Sequence, residues 1–436
     1  MKRFLSFLKE YYLMVLFLSF ISVMCCIYIP GVVSNFEDLY FSEAPAKSGY
    51  IEEYKDDLQS AGYNVSAVSP SSPSGLSAVL KVRSKLTEAM MNEVDYMGID
   101  DFMLSANAWF CKNVGMDYIP GTSFVKLENG TLTSVINEQN SAQSRYNDIT
   151  LLSIFNNALK ENGTETIYVN CPYKNTILSP LLANYLIGDK DFDLNEYITS
   201  ALNEFGIANI DVVSEMKADN ISVQDIFYKT DHHWRSEYGI YTAQLITEYL
   251  NNTQKYNIDT SVYNLDNYNE KVYAGSLLGS TGINSTLAFT QAEDFYLYSP
   301  KSQSAYSISI PSKNVSNKGD FDVMINHEKL DDESYWPFNA YGAYIYANSA
   351  YVNIKNESTT DNHKILVIKD SFANAVIPYL AQSFGEIDVV DVRSSQEDYF
   401  DDSVLELIEN NDYDSVLFIY SDPSEFDRLF LDTKTK

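Results

Sequence analysis

The sequence is poor in cysteine and histidine, with 4 of each among its 436 residues. Cys25 and Cys26 lie in an apolar segment near the amino terminus, so Cys111 and Cys171 alone remain for the rest of the chain. Two cysteines without C-x-x-C spacing exclude a zinc ribbon and a disulfide scaffold, and leave open whether they pair or stay buried thiols. A phosphate loop and G-x-G-x-x-G are also absent from the sequence. We therefore predict an activity that needs no cofactor.

Positive charge is scarce as well. The chain has 30 lysines and arginines against 60 aspartates and glutamates, which gives a net charge of −30 and a pI near 4.3. Such a protein would repel phosphate, so nucleic acid and anionic lipid are excluded as partners. Tyrosine is abundant, with 34 residues against 3 tryptophans. Its rings suit sugar binding, although an ordinary bias in composition explains the same count.

One long uncharged segment, Tyr11 to Ile29, follows Lys2, Arg3 and Lys9. As a helix it would span about 28 Å, close to the hydrocarbon core of a bilayer. A cleaved signal peptide is the alternative, but the exit Cys26-Ile27-Tyr28-Ile29-Pro30 is a poor cleavage site. We predict a cytoplasmic stub and transmembrane anchor in residues 1–30. The protein would then be a single-pass protein of the cell membrane with its catalytic domain outside the cytoplasm.

Composition divides the rest of the chain into a stalk and a domain. Residues 31–80 are predicted to be a stalk or linker, because they contain the loop-forming segment Ser69 to Gly75. In residues 81–436 short apolar strands alternate with helical patterns, which predicts an α/β domain with a parallel sheet flanked by helices. Residues 252–362 carry little helical periodicity and are predicted to form a β-rich or irregular insertion.

The predicted elements of this domain are few and short. The strands are Ile167–Cys171, Ile210–Val213, Ile365–Ile368, Ile387–Val392 and Ser415–Tyr420. The helices are Ala78–Asn92, Leu194–Phe205, Glu237–Leu250, Ala373–Ser383 with a kink at Pro378, and Val404–Asn410.

Asp231, His233 and Ser371 are the residue types of an activated serine nucleophile. Asp231 and His233 belong to Asp231-His232-His233-Trp234, just before a helix with Ser236 as its predicted N-cap. Ser371 follows a predicted strand, where open α/β sheets place their chemistry. The acid would fix the imidazole tautomer and the imidazole would take the proton of the serine.

The start of the helix after Ser371 suits a developing oxyanion. There the backbone N–H groups of Ser371 and Phe372 are predicted to act as donors.

Other interpretations of these residues stay open. A serine after a strand is usually an ordinary helix N-cap. The Asp-His-His triplet is also compatible with a zinc or iron site. No third histidine or acid stands at a helpful spacing, with His327 and His363 isolated, so we predict no metal. Finally, Trp234 with its histidine neighbours is compatible with a packed corner.

Thr230-Asp231-His232-His233-Trp234 resembles the signature of the DHHW family, which is similar to the SGNH-hydrolase-like proteins of alginate O-acetylation. Further segments carry the same resemblance. They are Lys369–Asn374, the nucleophile segment; Asp391-Val392-Arg393, a downstream strand end; Tyr273–Leu277, a glycine-serine segment; and Pro172-Tyr173-Lys174, a Pro-x-Lys segment. The order acid, histidine, serine reverses that of ordinary SGNH esterases and is the order expected of the alginate-type relatives.

The resemblance implies an SGNH-hydrolase-like fold in which Ser371 is the nucleophile, His233 the base and Asp231 the orienting acid. It makes Lys174, His232, Trp234 and Arg393 candidates for substrate contacts, although Lys174 could be a strand-end residue, Arg393 a surface cation and His232 a packing residue.

The function implied is that of a cell-surface O-acetyltransferase. It would move an acetyl group onto a surface polysaccharide or other glycan, with a membrane-bound O-acyltransferase as the partner that supplies the acetyl group. Two alternatives stay open: a carbohydrate acetyl esterase on the same scaffold, and a non-catalytic glycan-binding or envelope-assembly protein.

Overall fold

The computed structural model describes residues 100–119, 122–135, 142–161, 163–182, 192–331, 339–394 and 404–430. The predicted anchor at residues 1–30, the stalk at 31–80 and the predicted helix Ala78–Asn92 lie outside these residues. Within them, no helix has both the length and the apolar character needed to cross a membrane. The chain divides into two compact units, Met1–Ala106 and Asn107–Lys436. The second unit contains the sheet and all the candidate site residues.

The described helices and strands vary widely in length, from 3 residues in the shortest strands to 20 in the longest helix. The described strands are β1 Phe124–Lys126, β2 Leu132–Ser134, β3 Glu165–Asn170, β4 Ala208–Asp211, β5 Tyr268–Leu277, β6 Glu293–Pro300, β7 Tyr306–Ile310, β8 Val315–Gly319, β9 Tyr351–Asn356, β10 Lys364–Lys369, β11 Glu386–Val390 and β12 Ser415–Tyr420. The described α-helices are α1 Asp100–Asn113, α2 Ala142–Glu161, α3 Lys174–Leu178, α4 Leu194–Glu204, α5 Val212–Ala218, α6 Ser236–Gln254, α7 Ser280–Ser285, α8 Glu328–Asp331, α9 Ile377–Leu380 and α10 Val404–Glu409.

The largest sheet has eight strands in the order β4-β3-β12-β10-β11-β9-β7-β8. The first five strands in this order, β4, β3, β12, β10 and β11, are parallel. The last three, β9, β7 and β8, continue the sheet in antiparallel pairing. The sheet is therefore mixed, and the prediction of a parallel sheet is wrong at this edge. The three antiparallel strands lie within residues 252–362, so part of the β-rich insertion extends the central sheet. Buried and half-exposed residues alternate along β7 and begin to do so along β9, as is typical of antiparallel strands.

Strand β10 lies in the middle of the sheet and is buried on both faces. Ile365 and Val367 join the larger apolar core with α6, and Leu366 and Ile368 join a second core with α2 and α4. This explains the continuous apolar sequence of the strand. Since side chains alternate along a strand, Lys369 lies on the face of Ile365 and Val367.

The chain after β10 does not form the single helix predicted for Ala373–Ser383. It forms a 3-10 turn, Ser371–Ala375, and then α9, with Pro378 in the first turn of α9. Proline lacks an N–H and is tolerated at a helix start, so the predicted kink is a complete break. Gly239 of α6 packs on this turn, because a Cβ at residue 239 would lie 2.1 Å from the carbonyl oxygen of Ala375.

Two smaller predictions are also settled. Helix α6 has Arg235 as its N-cap, without a side-chain cap bond, so Ser236 is the first helical residue instead of the cap. The Ser236 side chain is buried, and its hydroxyl donates to the carbonyl oxygen of Tyr296. Cys111 and Cys171 are free, buried thiols and do not pair.

Candidate active site

Ser371 lies directly beyond the carboxyl end of β10, at the first position of the 3-10 turn. The turn is fixed by Asp370, its N-cap, whose buried carboxylate accepts from the Phe372 N–H at 2.9 Å. The same carboxylate accepts from the backbone N–H and the hydroxyl of Ser421, at 2.8 and 2.9 Å. Ser421 follows β12, so Asp370 ties the turn to the end of the neighbouring strand.

A hydrogen-bond chain joins Ser371 to the two predicted partners. The Ser371 Oγ is 2.8 Å from Nε2 of His233, and Nδ1 of His233 is 3.1 Å from Oδ2 of Asp231. Asp231 and His233 are buried. A carboxylate can only accept, so Nδ1 of His233 carries the proton and Nε2 is free to accept the proton of the serine. Residues 140 positions apart in the printed sequence (231 and 371) are thus brought into one line.

The charges of this chain suit proton transfer at neutral pH. Burial, with a smaller contribution from the neighbouring His232, lowers the pKa of His233 to about 4, against the opposing effect of Asp231. Burial by itself would raise the pKa of Asp231, but the two histidines and their hydrogen bonds hold it well below its usual value. Asp231 is therefore ionised and His233 is neutral at pH 7, as a general base requires.

The imidazole of His233 lies between two other rings. The His232 ring is 3.8 Å away at an interplanar angle of 37°, and the Tyr341 ring is 3.9 Å away at 13°. The Tyr341 hydroxyl donates to the carbonyl oxygens of Ser371 and Phe372, each at 3.2 Å. Tyr341 therefore holds both the histidine and the serine turn. Tyr341 could not be predicted from the sequence, because it is one of 34 tyrosines and belongs to no motif.

Two charged side chains, the half-buried Glu293 and the buried Lys174, support the loop that carries Asp231. The Glu293 carboxylate accepts from the backbone N–H and the hydroxyl of Thr230, each at 2.6 Å. The Lys174 ammonium donates to the carbonyl oxygens of Tyr228 and Asp231, at 2.7 and 2.6 Å. Lys174 is 2% exposed, and burial lowers its pKa to about 8. The structure thus does not support the predicted substrate contact of Lys174, because its donors are used by the loop.

A second segment of the insertion packs on the same loop. A Cβ at Gly279 would lie 2.1 Å from the Cβ of Asp231, so any side chain there would displace the acid. Ser280, the next residue, has its Oγ 2.8 Å from Nδ1 of His232. The glycine-serine segment noted in the sequence, Tyr273–Leu277, is part of β5, and its Gly275 and Ser276 are not buried.

The remaining predicted residues differ in their surroundings. Trp234 is fully buried and packs edge-on against Phe372 with ring centroids 5.4 Å apart, so its predicted substrate contact is not supported either. Arg393 is partly exposed and makes two hydrogen bonds to Asp391, at 2.9 and 2.8 Å. It lies near enough to His233 to lower the pKa of that histidine. His232 is the exposed member of the motif, with 44% of its side chain accessible.

A buried lysine lies on the sheet face next to the serine turn. Lys369 is fully buried, and its ammonium donates to the Oδ1 atoms of Asn348 and Asn374, each at 2.8 Å, and to Asp391 at 3.1 Å. Asn348 follows three consecutive left-handed residues, Ile345, Tyr346 and Ala347, with φ of 44°, 60° and 65°. Such a strained segment persists only where its surroundings hold it.

The backbone donors near Ser371 differ from the prediction. The Phe372 N–H is already used by Asp370, so it is not free for an oxyanion. Within the part of the chain that the structure describes, the Ser371 N–H has no acceptor. We retain Ser371 alone as a predicted backbone donor.

The same loop offers a possible ligand set for a metal. In the described residues, Asp231, His232 and His233 form one group whose ligand atoms all lie within 4.8 Å of one another. Histidine nitrogens and a carboxylate are suitable ligands for zinc or iron. However, Nε2 of His233 is directed to Ser371 and its Nδ1 to Asp231, so both ring nitrogens already have partners. That no metal is needed stays a prediction.

The fold and the site together define a mixed α/β protein with an Asp-His-Ser chain at the carboxyl edge of its sheet. The family model described as DHHW protein matches residues 196–390. The resemblance predicted from the motifs is thereby confirmed. No curated protein sequence matches the chain significantly.

Solved structures support the fold. Bacillus cereus PatB1 with a sulfonyl adduct is 20% identical, with a TM-score of 0.51, and the match covers 72% of this chain and 96% of that one. A DHHW family protein from Eubacterium siraeum is 19% identical, also with a TM-score of 0.51, over 70% of this chain and 93% of that one. The O-acetyltransferase domain of Pseudomonas putida AlgJ is more distant, with 12% identity and a TM-score of 0.38, over 71% and 93%. The likeness to PatB1 and to the Eubacterium siraeum protein, at 20% and 19% identity, extends to the fold alone.

Proposed function

We propose that this protein is a serine O-acyltransferase that moves an acetyl group onto a hydroxyl of a glycan outside the cytoplasm. The observation that carries the proposal is the hydrogen-bond chain from Asp231 through His233 to Ser371, with distances of 3.1 and 2.8 Å. A serine hydroxyl that donates to a neutral, buried imidazole is prepared to lose its proton to that ring.

The proposed reaction has two halves. In the first, Oγ of Ser371 attacks the carbonyl carbon of an acetyl ester, Nε2 of His233 takes the serine proton, and the donor's alcohol leaves with that proton. In the second, a glycan hydroxyl attacks the acetyl-serine, and His233 passes the proton of that hydroxyl back to Oγ. Asp231 keeps the proton on Nδ1 and stabilises the imidazolium in both halves. The Ser371 N–H would donate to the oxyanion.

The acidic charge of the chain agrees with a neutral or weakly charged acceptor, such as a polysaccharide, better than with phosphate. The half-exposed His232 would face such an acceptor. We also retain as proposals the anchor at Tyr11 to Ile29 and a membrane-bound O-acyltransferase that delivers the acetyl group. A carbohydrate acetyl esterase has the same first half-reaction, and water would take the place of the glycan in the second.

The test is ester turnover by the full-length protein in detergent, with p-nitrophenyl acetate as donor, with and without an oligosaccharide. Turnover that is lost in Ser371→Ala and kept in Ser276→Ala, a serine of β5, would support the nucleophile. An acetylated oligosaccharide would support transfer, and free acetate alone would favour the esterase.

A second assay reports on the serine itself. The PatB1 structure is described with a sulfonyl adduct, and sulfonyl fluorides react with activated hydroxyls. Phenylmethylsulfonyl fluoride should therefore label Ser371 in the wild-type protein, located by peptide mass mapping. If the protein shows neither turnover nor labelling at Ser371, the proposed function is overturned. The non-catalytic glycan-binding protein then remains.

A further inference from the structure

His232 is the one residue of the Asp-His-His-Trp motif that is open to solvent and has no role in the proposed proton transfer. Its side chain is 44% exposed, whereas Asp231, His233 and Trp234 are all buried. Its ring lies against that of His233, with centroids 3.8 Å apart and an interplanar angle of 37°. An exposed imidazole thus stands beside the ring that holds the Ser371 hydroxyl, where the second substrate has to arrive.

The hydrogen bonds of this ring fix which nitrogen can accept. Nδ1 of His232 is 3.0 Å from Oδ1 of Asp231 and 2.8 Å from Oγ of Ser280. A lone pair on Nδ1 would face the carboxylate oxygen, so in the neutral ring Nδ1 carries the proton and donates it to Oγ of Ser280. The Ser280 hydroxyl is then left to donate to the same Oδ1, at 3.4 Å.

The backbone secures the same arrangement, because the His232 N–H donates to Oδ1 of Asp231 at 2.7 Å. The second ring nitrogen, Nε2, must therefore hold a lone pair. Among the residues that the structure describes, Nε2 has no hydrogen-bond donor. The motif thus presents one oriented, vacant acceptor beside the serine.

We propose that Nε2 of His232 binds the glycan acceptor by accepting a hydrogen bond from a second hydroxyl, next to the one that attacks. This inference rests on the proposed function and deepens it, because it assigns the acceptor class: a polyol with neighbouring hydroxyls, such as a sugar ring. A single alcohol has no second hydroxyl to give, and neither has water. His232 would therefore favour transfer to sugar over hydrolysis.

The transfer step itself runs through the other histidine. The attacking hydroxyl oxygen forms a bond to the acetyl carbon, and its proton passes to Nε2 of His233. The bond from that carbon to Oγ of Ser371 breaks, and Oγ takes the proton from His233. His232 exchanges no proton. It holds the acceptor so that the attacking oxygen reaches the acetyl carbon.

The experiment measures the ratio of transfer to hydrolysis from p-nitrophenyl acetate with three acceptors: cyclohexanol, trans-1,2-cyclohexanediol and methyl α-glucopyranoside. His232→Phe keeps an aromatic ring beside His233 and removes the acceptor nitrogen. Both products arise from the same acetyl-enzyme, so any loss in acetylation cancels in the ratio. We expect the ratio to fall about five- to tenfold with the diol and the glucoside, the effect of one hydrogen bond, and to stay at the wild-type value with cyclohexanol.

Two further variants serve as controls for this experiment. His363→Phe is a matched control, because His363 also has its Nδ1 beside an aspartate two residues earlier, Asp361, at 2.8 Å, and stacks on Tyr256. His363 precedes β10, whereas Ser371 follows that strand. The transfer-to-hydrolysis ratios of His363→Phe should therefore equal those of the wild type. His232→Gln restores an acceptor oxygen, and its ratio with the diol should lie above that of His232→Phe. Thermal unfolding of each variant checks that it is folded.

The outcomes separate the two proposals. An unchanged ratio with the diol in His232→Phe, while turnover still depends on Ser371, would overturn the role of His232 and leave the acyltransferase. An equal fall of the transfer-to-hydrolysis ratio with cyclohexanol would also overturn the role of His232, since it would indicate a general loss of order in the site. If the wild-type protein shows neither ester turnover nor labelling of Ser371, the proposed function is overturned, and the role of His232 with it.

Discussion

Replacement of Asp231 by asparagine tests the site most directly, because it changes one buried atom of the hydrogen-bond chain. Oδ1 of Asp231 accepts from the His232 N–H at 2.7 Å, and Oδ2 accepts from Nδ1 of His233 at 3.1 Å. In Asp231→Asn the remaining oxygen is expected to keep the backbone N–H, which leaves the new NH₂ facing His233. An NH₂ group can only donate, so Nδ1 of His233 must become the acceptor and the proton must move to Nε2.

The expected loss is large because this tautomer reverses the bond to the serine. Nε2–H would donate to Oγ of Ser371, at the present 2.8 Å, and could no longer take its proton. Loss of the correct tautomer in a serine–histidine–acid site lowers kcat about 10⁴-fold, or roughly 5 kcal/mol of transition-state stabilisation. The fold should persist, since asparagine has the same shape and the buried negative charge is removed with its desolvation cost.

The measurement is kcat for p-nitrophenyl acetate and the rate of sulfonyl labelling of Ser371, with the melting temperature as a check on folding. Asp361→Asn is the matched control. Asp361 is also two residues before a histidine, His363, and accepts from its Nδ1 at 2.8 Å, but it lies at the other end of β10. A value of kcat within tenfold of the wild type in Asp231→Asn would refute the assignment of Asp231 and the tautomer argument.

Four further predictions concern the same loop. The pH profile of kcat/KM should rise with an apparent pKa near 4 and stay flat to pH 7, because the depressed pKa of His233 keeps the base neutral there; a rise near 6.5 would contradict this. The same shift means that the folded state binds fewer protons than the unfolded chain between about pH 4 and 6.5, so stability should fall by up to ~3 kcal/mol as the pH is lowered through that range, as measured by urea unfolding. Gly279→Ala should lower kcat at least about 100-fold, because the new Cβ would lie 2.1 Å from the Cβ of Asp231 and displace that residue. Ser276→Ala should leave kcat unchanged, and equal activity of the two variants would contradict the packing argument. Chelation with EDTA should leave turnover unchanged, and a loss restored by zinc would favour the metal site at the two histidines and Asp231.

The sequence predicted the parts of the fold that have a strong local signal. Strand β12 has the predicted bounds, Ser415–Tyr420, because its six successive buried residues mark where the strand begins and ends. The bounds of the other parallel strands and of helix α4, Leu194–Glu204, agree with the predicted bounds within a few residues. The antiparallel edge was not predicted to join the sheet, since its strand β8 is largely exposed and has no apolar pattern. Strand pairing between residues far apart in the chain leaves no local mark.

The candidate site divides in the same way. The residues in the proton-transfer chain were predicted because they lie in short motifs, and the structure brings these motifs together. Lys174 and Trp234 also lie in motifs, but the structure gives them supporting positions: one donates to the loop, the other packs beneath it. Tyr341 and Glu293 were missed because their positions depend on tertiary contacts that no spacing in the sequence predicts.

These contacts give the insertion a definite part in the proposed chemistry. Gly279 and Glu293 hold the loop that carries Asp231, and Tyr341 stacks on His233 and fixes the serine turn. All three lie within residues 252–362, which have the weakest sequence pattern in the domain. A relative with Asp, His and Ser intact but a different insertion would therefore lack the groups that orient them. Activity in this fold should follow the fit of the insertion as closely as the presence of the motif, because a misplacement of about 1 Å in such a site can cost about 100-fold in rate.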